Sequence, residues 1–113
     1  RAKTKYSDSI FDANTAEAAK KIMLENGKNY TESISGYELG IKSGTAQVKN
    51  GEEENSLLTG FVNDRRHPIA FCVLIEDKKS GNVKTEQIVK CMLDSLCSWF
   101  YNKTSFVMYK LLK

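Results

Sequence analysis

The sequence predicts an α+β fold in which one helix precedes, and one helix follows, three consecutive antiparallel strands. Two observations support this class. Apolar residues recur at helical spacing near both ends of the chain, and three strand-like runs joined by short polar connections lie between them. Short connections force neighbouring strands to run antiparallel. The strands should therefore form a meander with the helices packed on it.

Length and charge narrow the class of protein. The chain has 113 residues and a net charge of +3, from 17 basic and 14 acidic residues. This length suits one small domain or a part of a larger domain. The basic residues are not gathered into one stripe, so we expect no nucleic-acid partner. No spacing typical of metal ligands is present and we expect no cofactor; we interpret the three cysteines as small buried apolar residues.

The first helix should run from about Thr15 to Asn26, after a polar lead-in. Asn14 and Glu17 fit a capping box, in which each side chain satisfies a free backbone donor at the helix start. The residues of its apolar stripe would be Ala16, Ala19 and Met23, with Ile22 as a further candidate. Gly27 suits the left-handed position that ends many helices.

Three strands follow, at about Glu38 to Val48, Ser56 to Asn63 and Ile69 to Glu76. The glutamates from Glu52 to Glu54 indicate an exposed connection between the first two strands. His67 and Pro68 lie in the polar turn before the third strand. That strand is a continuous apolar run, which predicts burial on both faces.

The second helix should begin near Thr85, where Glu86 in the first turn is favoured by the helix dipole. A wide apolar face at helical spacing predicts that this helix covers one face of the sheet; its residues are Ile88, Val89, Met92, Leu93, Leu96 and Trp99. The tail from Thr104 to Leu112 is apolar and aromatic, and it could be another strand or a docking segment.

The run Lys42-Ser43-Gly44-Thr45 carries the chemistry of interest. A glycine inside a strand weakens the strand but lets a ligand approach the backbone closely. Lys42 supplies a positive charge for a carboxylate or phosphate, and Ser43 and Thr45 add hydroxyl groups. Taken alone, the run is more typical of an edge strand whose solvated lysine protects it from aggregation.

The sequence around this run makes the pattern more specific than the four residues are alone. The run resembles the Lys-(Ser/Thr)-Gly-Thr-Ala strand of penicillin-binding proteins and serine β-lactamases. Leu58-Thr59-Gly60-Phe61 and then His67-Pro68-Ile69-Ala70-Phe71 follow it in the order and spacing of that family. The resemblance covers roughly Thr15 to Cys97. It implies a partial transpeptidase-like fold, the C-terminal part of a transpeptidase domain within residues 1–113, with a tail of uncertain role at residues 101–113.

The resemblance also implies roles for the matching positions. Lys42, Ser43 and Thr45 would bind the terminal carboxylate of a D-Ala-D-Ala stem peptide, or of a β-lactam that mimics it. The backbone N–H of Thr45 would be one of two oxyanion-hole donors, which stabilise the negative oxygen that develops during acyl transfer. Gly44 would allow the close approach of the ligand.

Two other motifs of the family are not found at the expected places. No serine has a lysine three residues later, so the Ser-x-x-Lys nucleophile is absent from the sequence. Ser80-Gly81-Asn82 matches the letters of the family's Ser-x-Asn motif but follows the lysine strand, and we interpret the match as accidental. We therefore expect the chain alone to be inactive, while its parent protein would be a serine D,D-transpeptidase.

Other interpretations stay open at the level of sequence. The parent could be a sensor that detects β-lactams, or the chain could be an unrelated small α+β interaction domain. On the transpeptidase interpretation, the protein would work at the extracytoplasmic face of a bacterial membrane, with any anchor outside this chain. The missing N-terminal part of the domain, another copy of the chain, or the tail would cover the edge of the third strand.

Overall fold

A computed structural model describes residues 7–77, 79 and 81–103, with side chains described up to residue 98. The elements follow one another along the chain as α1 (Ala13–Gly27), β1 (Leu39–Val48), β2 (Glu53–Val62), β3 (Ala70–Ile75) and α2 (Thr85–Lys103). Short 3-10 turns at Lys28–Tyr30 and Lys49–Gly51 follow α1 and β1. The predicted α+β arrangement, with one helix before and one helix after three strands, is confirmed.

The three strands form an antiparallel meander in the order β1-β2-β3. Leu39 pairs with Val62 at one end of the β1–β2 ladder and Val48 pairs with Glu53 at the other. The turn between them contains three successive residues with positive φ, at 49° for Lys49, 55° for Asn50 and 89° for Gly51. Such left-handed turns match the twist of a hairpin, so β2 returns directly beside β1.

One face of the sheet carries the core. Buried residues alternate along the strands, as expected of a sheet that is covered on one side. Val89 and Leu93 of α2 are each 1% exposed and belong to the same buried cluster as Ile41, Leu58 and Val73. The full cluster is Ile34, Leu39, Ile41, Leu58, Val62, Phe71, Val73, Val89 and Leu93. The prediction that α2 covers one face of the sheet is therefore confirmed.

The prediction of burial on both faces of β3 is wrong. Its residues alternate between exposed and buried, and Leu74 is 54% exposed. α2 covers the face of Phe71 and Val73, and the opposite face of β3 is exposed among the described residues, so an apolar run here does not mean two covered faces. For the same reason Cys72 is exposed, and Cys91 is exposed on α2. The interpretation of these two cysteines as buried residues is wrong as well.

The start of α1 differs from the prediction in its capping residue. The helix begins at Ala13, and Asp12 is the N-cap: its carboxylate accepts hydrogen bonds from the backbone N–H and the hydroxyl of Thr15, both at 2.8 Å. These bonds lower the pKa of Asp12. Asn14 lies inside the helix. Asp12 and Asn14 are both residue types that favour the N-cap position, so the sequence alone does not decide between them.

The physical reason for the glycine at the end of α1 also differs from the prediction. Gly27 has φ −59° and ψ −27°, which is ordinary right-handed helix. The glycine is required by packing, because a Cβ on Gly27 would lie 1.7 Å from the carbonyl oxygen of Leu39. The last turn of α1 thus lies directly against the backbone of β1. The predicted apolar stripe is largely wrong: Ala16, Ala19 and Ile22 are exposed, and only Met23 is half-buried.

The second strand begins earlier than predicted. Glu53 and Glu54 belong to β2 and are half-buried, so only Glu52 of the acidic run lies in the connection. Glu53 forms an ion pair with Lys49, four residues before it. Glu54 is placed opposite Gln47 of β1. The acidic run therefore takes part in closing the hairpin.

A polar cluster ties the segment before β1 to α2. The hydroxyl of Tyr37 donates to Asp94 at 2.8 Å, and the ammonium of Lys90 donates to the same carboxylate at 2.7 Å. The hydrogen bonds from Lys90, and next the one from Tyr37, lower the pKa of Asp94. Burial and the Asp94 hydrogen bond raise the pKa of Tyr37. This cluster fixes α2 beside the start of β1.

The tail falls outside the described residues. The interpretations offered for Thr104 to Leu112, a further strand or a docking segment over the third strand, stay predictions for that reason. Trp99 of α2 is in the helix, but its side chain is likewise not described.

Candidate functional site

The lysine strand lies at an edge of the sheet. Lys42, Ser43, Gly44 and Thr45 occupy the middle of β1, and β2 pairs with only one side of that strand. Within residues 7–77, 79 and 81–103, no strand lies on the other side of β1. The backbone of the run is therefore open to a ligand that lies alongside it.

The hydrogen-bond register shows which backbone groups face the open side. In an antiparallel ladder, residues that bond their partner alternate with residues whose N–H and C=O point away. Asn63 donates to the carbonyl of Glu38 at 2.8 Å, so Glu38 faces β2. Counting along β1, the even-numbered residues face β2 as well. Ser43 and Thr45 therefore direct their N–H and C=O groups to the open edge.

The side chains of the run are accessible. Lys42, Ser43 and Thr45 are exposed, and Gly44 is half-buried. Strand alternation puts Ser43 and Thr45 on the same face as Ile41, which is fully buried. The covered part of that face therefore ends at Ile41, and the two hydroxyl-bearing residues lie beyond it. Lys42 and Gly44 lie on the opposite face, where Thr59 is the cross-strand neighbour of Lys42.

The ammonium of Lys42 lies at the open edge. Its Nζ donates a hydrogen bond to the carbonyl of Ser43, which is one of the carbonyls that point away from β2. The positive charge therefore stands beside the outward N–H groups of Ser43 and Thr45. An anionic group placed there would meet a cation and backbone donors together, and charge-assisted hydrogen bonds of this kind are the stronger ones.

The glycine of the run is not required by packing among the residues that the structure describes. A Cβ on Gly44 would lie 3.7 Å from the nearest atoms of Leu57, which is ordinary van der Waals contact. Gly40 differs, because a Cβ there would lie 2.2 Å from the ring of Phe61. The fold therefore explains glycine at position 40 but leaves position 44 unexplained. Close approach of a ligand is one physical reason for a glycine inside a strand.

One polar contact at the edge was not foreseen from the sequence. The side-chain amide of Asn26, in the last turn of α1, donates to the carbonyl of Ile41 at 2.8 Å. Ile41 directly precedes the lysine run, and its carbonyl points to the open side. No local sequence signal identifies this contact, because it joins residues 15 positions apart through the packing of α1 on β1.

The only histidine lies away from this edge. His67 is in the turn between β2 and β3, next to the end of the ladder where Leu39 pairs with Val62. Its Nδ1 lies 3.4 Å from Asp64, whose carboxylate also binds Arg66 at 3.2 Å. The hydrogen bonds from Arg66 lower the pKa of Asp64 to about 2. His67 lies in the polar turn, as predicted, and is half-buried there. In this position His67 does not lie beside a nucleophile of β1 that it could activate.

The geometry defines a class of site: an open β-strand edge that offers a cation, hydroxyl groups and backbone donors to an anionic, extended ligand. The sequence model of the penicillin-binding protein transpeptidase domain matches residues 1–94. The chain therefore belongs to the transpeptidase domain family of penicillin-binding proteins. This family is associated in general with the peptidoglycan of the cell wall. No curated protein and no solved structure shows a significant match to the chain.

None of the helices that the structure describes is both long enough and apolar enough to cross a bilayer.

Proposed function

We propose that the chain is the C-terminal, substrate-binding portion of a peptidoglycan D,D-transpeptidase. The edge of β1 would bind the terminal carboxylate of a D-Ala-D-Ala stem peptide, or the carboxylate of a β-lactam. The observation that carries the proposal is the open edge itself: Lys42 and the outward N–H groups of Ser43 and Thr45 converge there beside a glycine that internal packing does not require. Family membership supports it.

Each residue of the run then has a stated role. Lys42 balances the charge of the ligand carboxylate, and the hydroxyl groups of Ser43 and Thr45 donate hydrogen bonds to it. The outward N–H of Thr45 donates to the carbonyl oxygen that becomes negative as a tetrahedral intermediate forms. A rigid strand edge can hold such a donor in place before the reaction begins, which is what makes oxyanion stabilisation effective.

The nucleophile would come from a preceding part of the parent protein. In the acylation step, a serine oxygen would attack the ligand carbonyl and lose its proton to a base. The amide bond would break, and the leaving nitrogen would take up a proton. Since no serine of this chain has a lysine three residues later, we expect no covalent adduct when the chain alone is incubated with benzylpenicillin. The parent gene product should gain the mass of one benzylpenicillin per molecule.

The outer edge of β3 is the proposed contact for that preceding part. Val62 donates to the carbonyl of Ile69 at 2.8 Å, so alternation directs the backbone groups of Ala70, Cys72 and Leu74 away from β2. An apolar cavity of about 220 Å³ lies beside this edge, between β3 and α2; it is lined by Ile69, Ala70, Phe71, Cys72, Val89, Met92, Leu93 and Leu96. An added strand would pair with the edge and cover the cavity.

Localisation follows from the substrate. Stem peptides are assembled into wall outside the cell membrane, so the parent protein would act at the extracytoplasmic face of a bacterial membrane. Its anchor would lie in another part of the protein.

Ligand binding tests the role of the edge directly. The uniformly ¹⁵N-labelled chain would be titrated with N-acetyl-D-Ala-D-Ala, and the amide shifts of Ser43 and Thr45 followed by NMR. We expect these amides to shift with a saturable dependence on probe concentration. Lys42→Met should abolish the shifts, whereas Lys20→Met, a change on the exposed face of α1, should leave them unchanged. Saturable binding that Lys42→Met does not weaken would contradict the proposal.

Gly44→Ala provides a second, independent test of the role of the edge. The added methyl group makes only ordinary contacts with Leu57, so the variant should fold with unchanged stability. It should nevertheless lose the probe-induced shifts, because the methyl group would lie on the same face as Lys42 and narrow the approach of the ligand to that cation. Gly81→Ala is the matched control, since its added methyl group meets nothing within 4 Å. Equal binding by both variants would show that Gly44 does not face the ligand.

A further inference from the structure

The open edge of β1 is closed at one of its ends. The carbonyl of Ile41 points to the open side, but it already accepts a hydrogen bond from Asn26 at 2.8 Å in a partly buried position. The next residue of α1, Gly27, packs against the carbonyl oxygen of Leu39. The end of α1 therefore occupies the space that a pairing strand would need before Lys42. From Ser43 towards Gln47, no strand of the described part of the chain pairs with the edge.

The charge of the edge stands at this closed end. Lys42 directly follows Ile41, and its ammonium reaches the carbonyl of Ser43. The anionic end of an extended ligand would lie beside that cation, and the rest of the ligand would run towards Gln47. A ligand chain that continued past its anionic group would instead meet the amide of Asn26 and find the carbonyl of Ile41 already bonded.

We propose that Asn26 is a specificity-determining residue that makes this edge accept the end of a peptide and reject a strand that runs through. The inference rests on the proposed function, since it concerns the ligand of the same edge. Asn26 acts through the Ile41 carbonyl and the position of α1, so it is a positioning residue with no direct part in the chemistry. It adds a selective element that the Lys42 to Thr45 run does not itself contain.

Two probes separate this role from a merely structural one. N-acetyl-D-Ala-D-Ala ends at its carboxylate, whereas N-acetyl-D-Ala-D-Ala-Gly-Gly-amide continues as a neutral chain. Dissociation constants for both would be measured from the Ser43 and Thr45 amide shifts of the ¹⁵N-labelled chain. The wild-type chain should prefer the terminal acid. The readout is the dissociation constant of the extended amide divided by that of the terminal acid. A uniform loss of stability would weaken the binding of both probes alike and leave this ratio unchanged.

Asn26→Ala should lower that ratio by roughly 3–10-fold, the value of one net hydrogen bond. The reason is that the extended probe can now donate a glycine N–H to the free carbonyl of Ile41. N-methylation of that glycine nitrogen should cancel the gain. Asn14→Ala removes an exposed side-chain amide from the same helix and should leave the ratio unchanged. If Asn26→Ala does not fold, Asn26→Asp serves instead, because a carboxylate cannot donate to Ile41.

The outcomes distinguish the two proposals. A lowered ratio in the Asn26 variant, reversed by N-methylation and absent from Asn14→Ala, supports the inference. An unchanged ratio, with the terminal acid still bound at Ser43 and Thr45, overturns the role of Asn26 and leaves the proposed function standing. No shift of these amides with the terminal acid in any variant, the wild type included, overturns both.

Discussion

Gly27→Ala is a sharp test of the packing between α1 and β1, because two physical effects predict opposite signs. Gly27 is the last residue of α1 and has ordinary helical angles. Replacing a helical glycine by alanine in an open position stabilises a helix by about 1 kcal/mol. In this structure, however, the new Cβ would lie 1.7 Å from the carbonyl oxygen of Leu39 and 2.8 Å from its carbonyl carbon.

The size of the effect follows from the displacement that the methyl group demands. Ordinary contact begins at 3.4 Å, so the oxygen and the methyl group must separate from 1.7 Å to at least 3.4 Å. Such a retreat of α1 would also break the 2.8 Å hydrogen bond from Asn26 to Ile41. Overpacking of this kind costs about 1–3 kcal/mol, and the lost hydrogen bond about 1 kcal/mol. We therefore expect a net destabilisation of about 1–3 kcal/mol after the gain in helix propensity.

Urea unfolding at 25 °C, followed by far-ultraviolet circular dichroism, would measure the change. Gly81→Ala is the control, because Gly81 has no atom within 4 Å of the added methyl group; it should be neutral, or stabilising by up to about 1 kcal/mol through the unfolded chain. A Gly27→Ala variant as stable as wild type, or more stable, would refute the close packing of α1 on β1. It would also remove the structural basis for the role given to Asn26.

Three further predictions concern the core, the cysteines and acid stability. Leu58→Ala should destabilise the chain by about 2–5 kcal/mol, since Leu58 is 1% exposed; Leu74→Ala, at a position 54% exposed, should cost well under half as much in the same urea experiment. Cys72 and Cys91 should react with a thiol reagent in the folded chain, as they are exposed, and peptide mapping that finds either one protected would contradict the described surface. The folded-state pKa of Asp64 is depressed from 3.8 to about 2, so its stabilising contribution is present above pH 3.8 and is lost as the pH falls towards 2. Asp64→Asn should remove that part of the acid sensitivity, and urea midpoints that keep the wild-type pH dependence in the variant would contradict it.

The order of the elements could be predicted from sequence because each has a local cause. The apolar face of α2 repeats at helical spacing, and the strands are separated by polar connections, so both signals lie within short windows. The left-handed turn at Asn50 and Gly51 is likewise marked by its own residues. These features need no knowledge of distant parts of the chain.

The errors arose where a distant part of the chain decides. Gly27 has the residue type of a left-handed helix end, but the reason for glycine there is the carbonyl of Leu39, in the strand that follows. The apolar run of β3 predicts two covered faces, but the number of covered faces depends on which elements pack there. Asn26 is one polar residue among many until α1 is placed against β1.

The candidate site shows the same division. Lys42 to Thr45 could be identified because the residue types and their order carry the chemistry. The sequence does not show which of their backbone groups face the open edge. A shift of one residue in the register would exchange the groups that face β2 with those that face outwards. The hydrogen bond between Asn63 and Glu38 fixes that register.

The meander has a consequence for how the edge is formed during folding. Every strand pairs with a neighbour along the chain, and only four loop residues separate Val48 from Glu53. Closing so short a loop costs little chain entropy, and sheets built from local pairings fold faster than sheets with distant ones. The edge bearing Lys42 is thus set by a hairpin of adjacent segments, whereas the contact of α1 with β1 must close a longer loop. Refolding experiments should then find the amides of β1 and β2 protected from exchange before those at the end of α1.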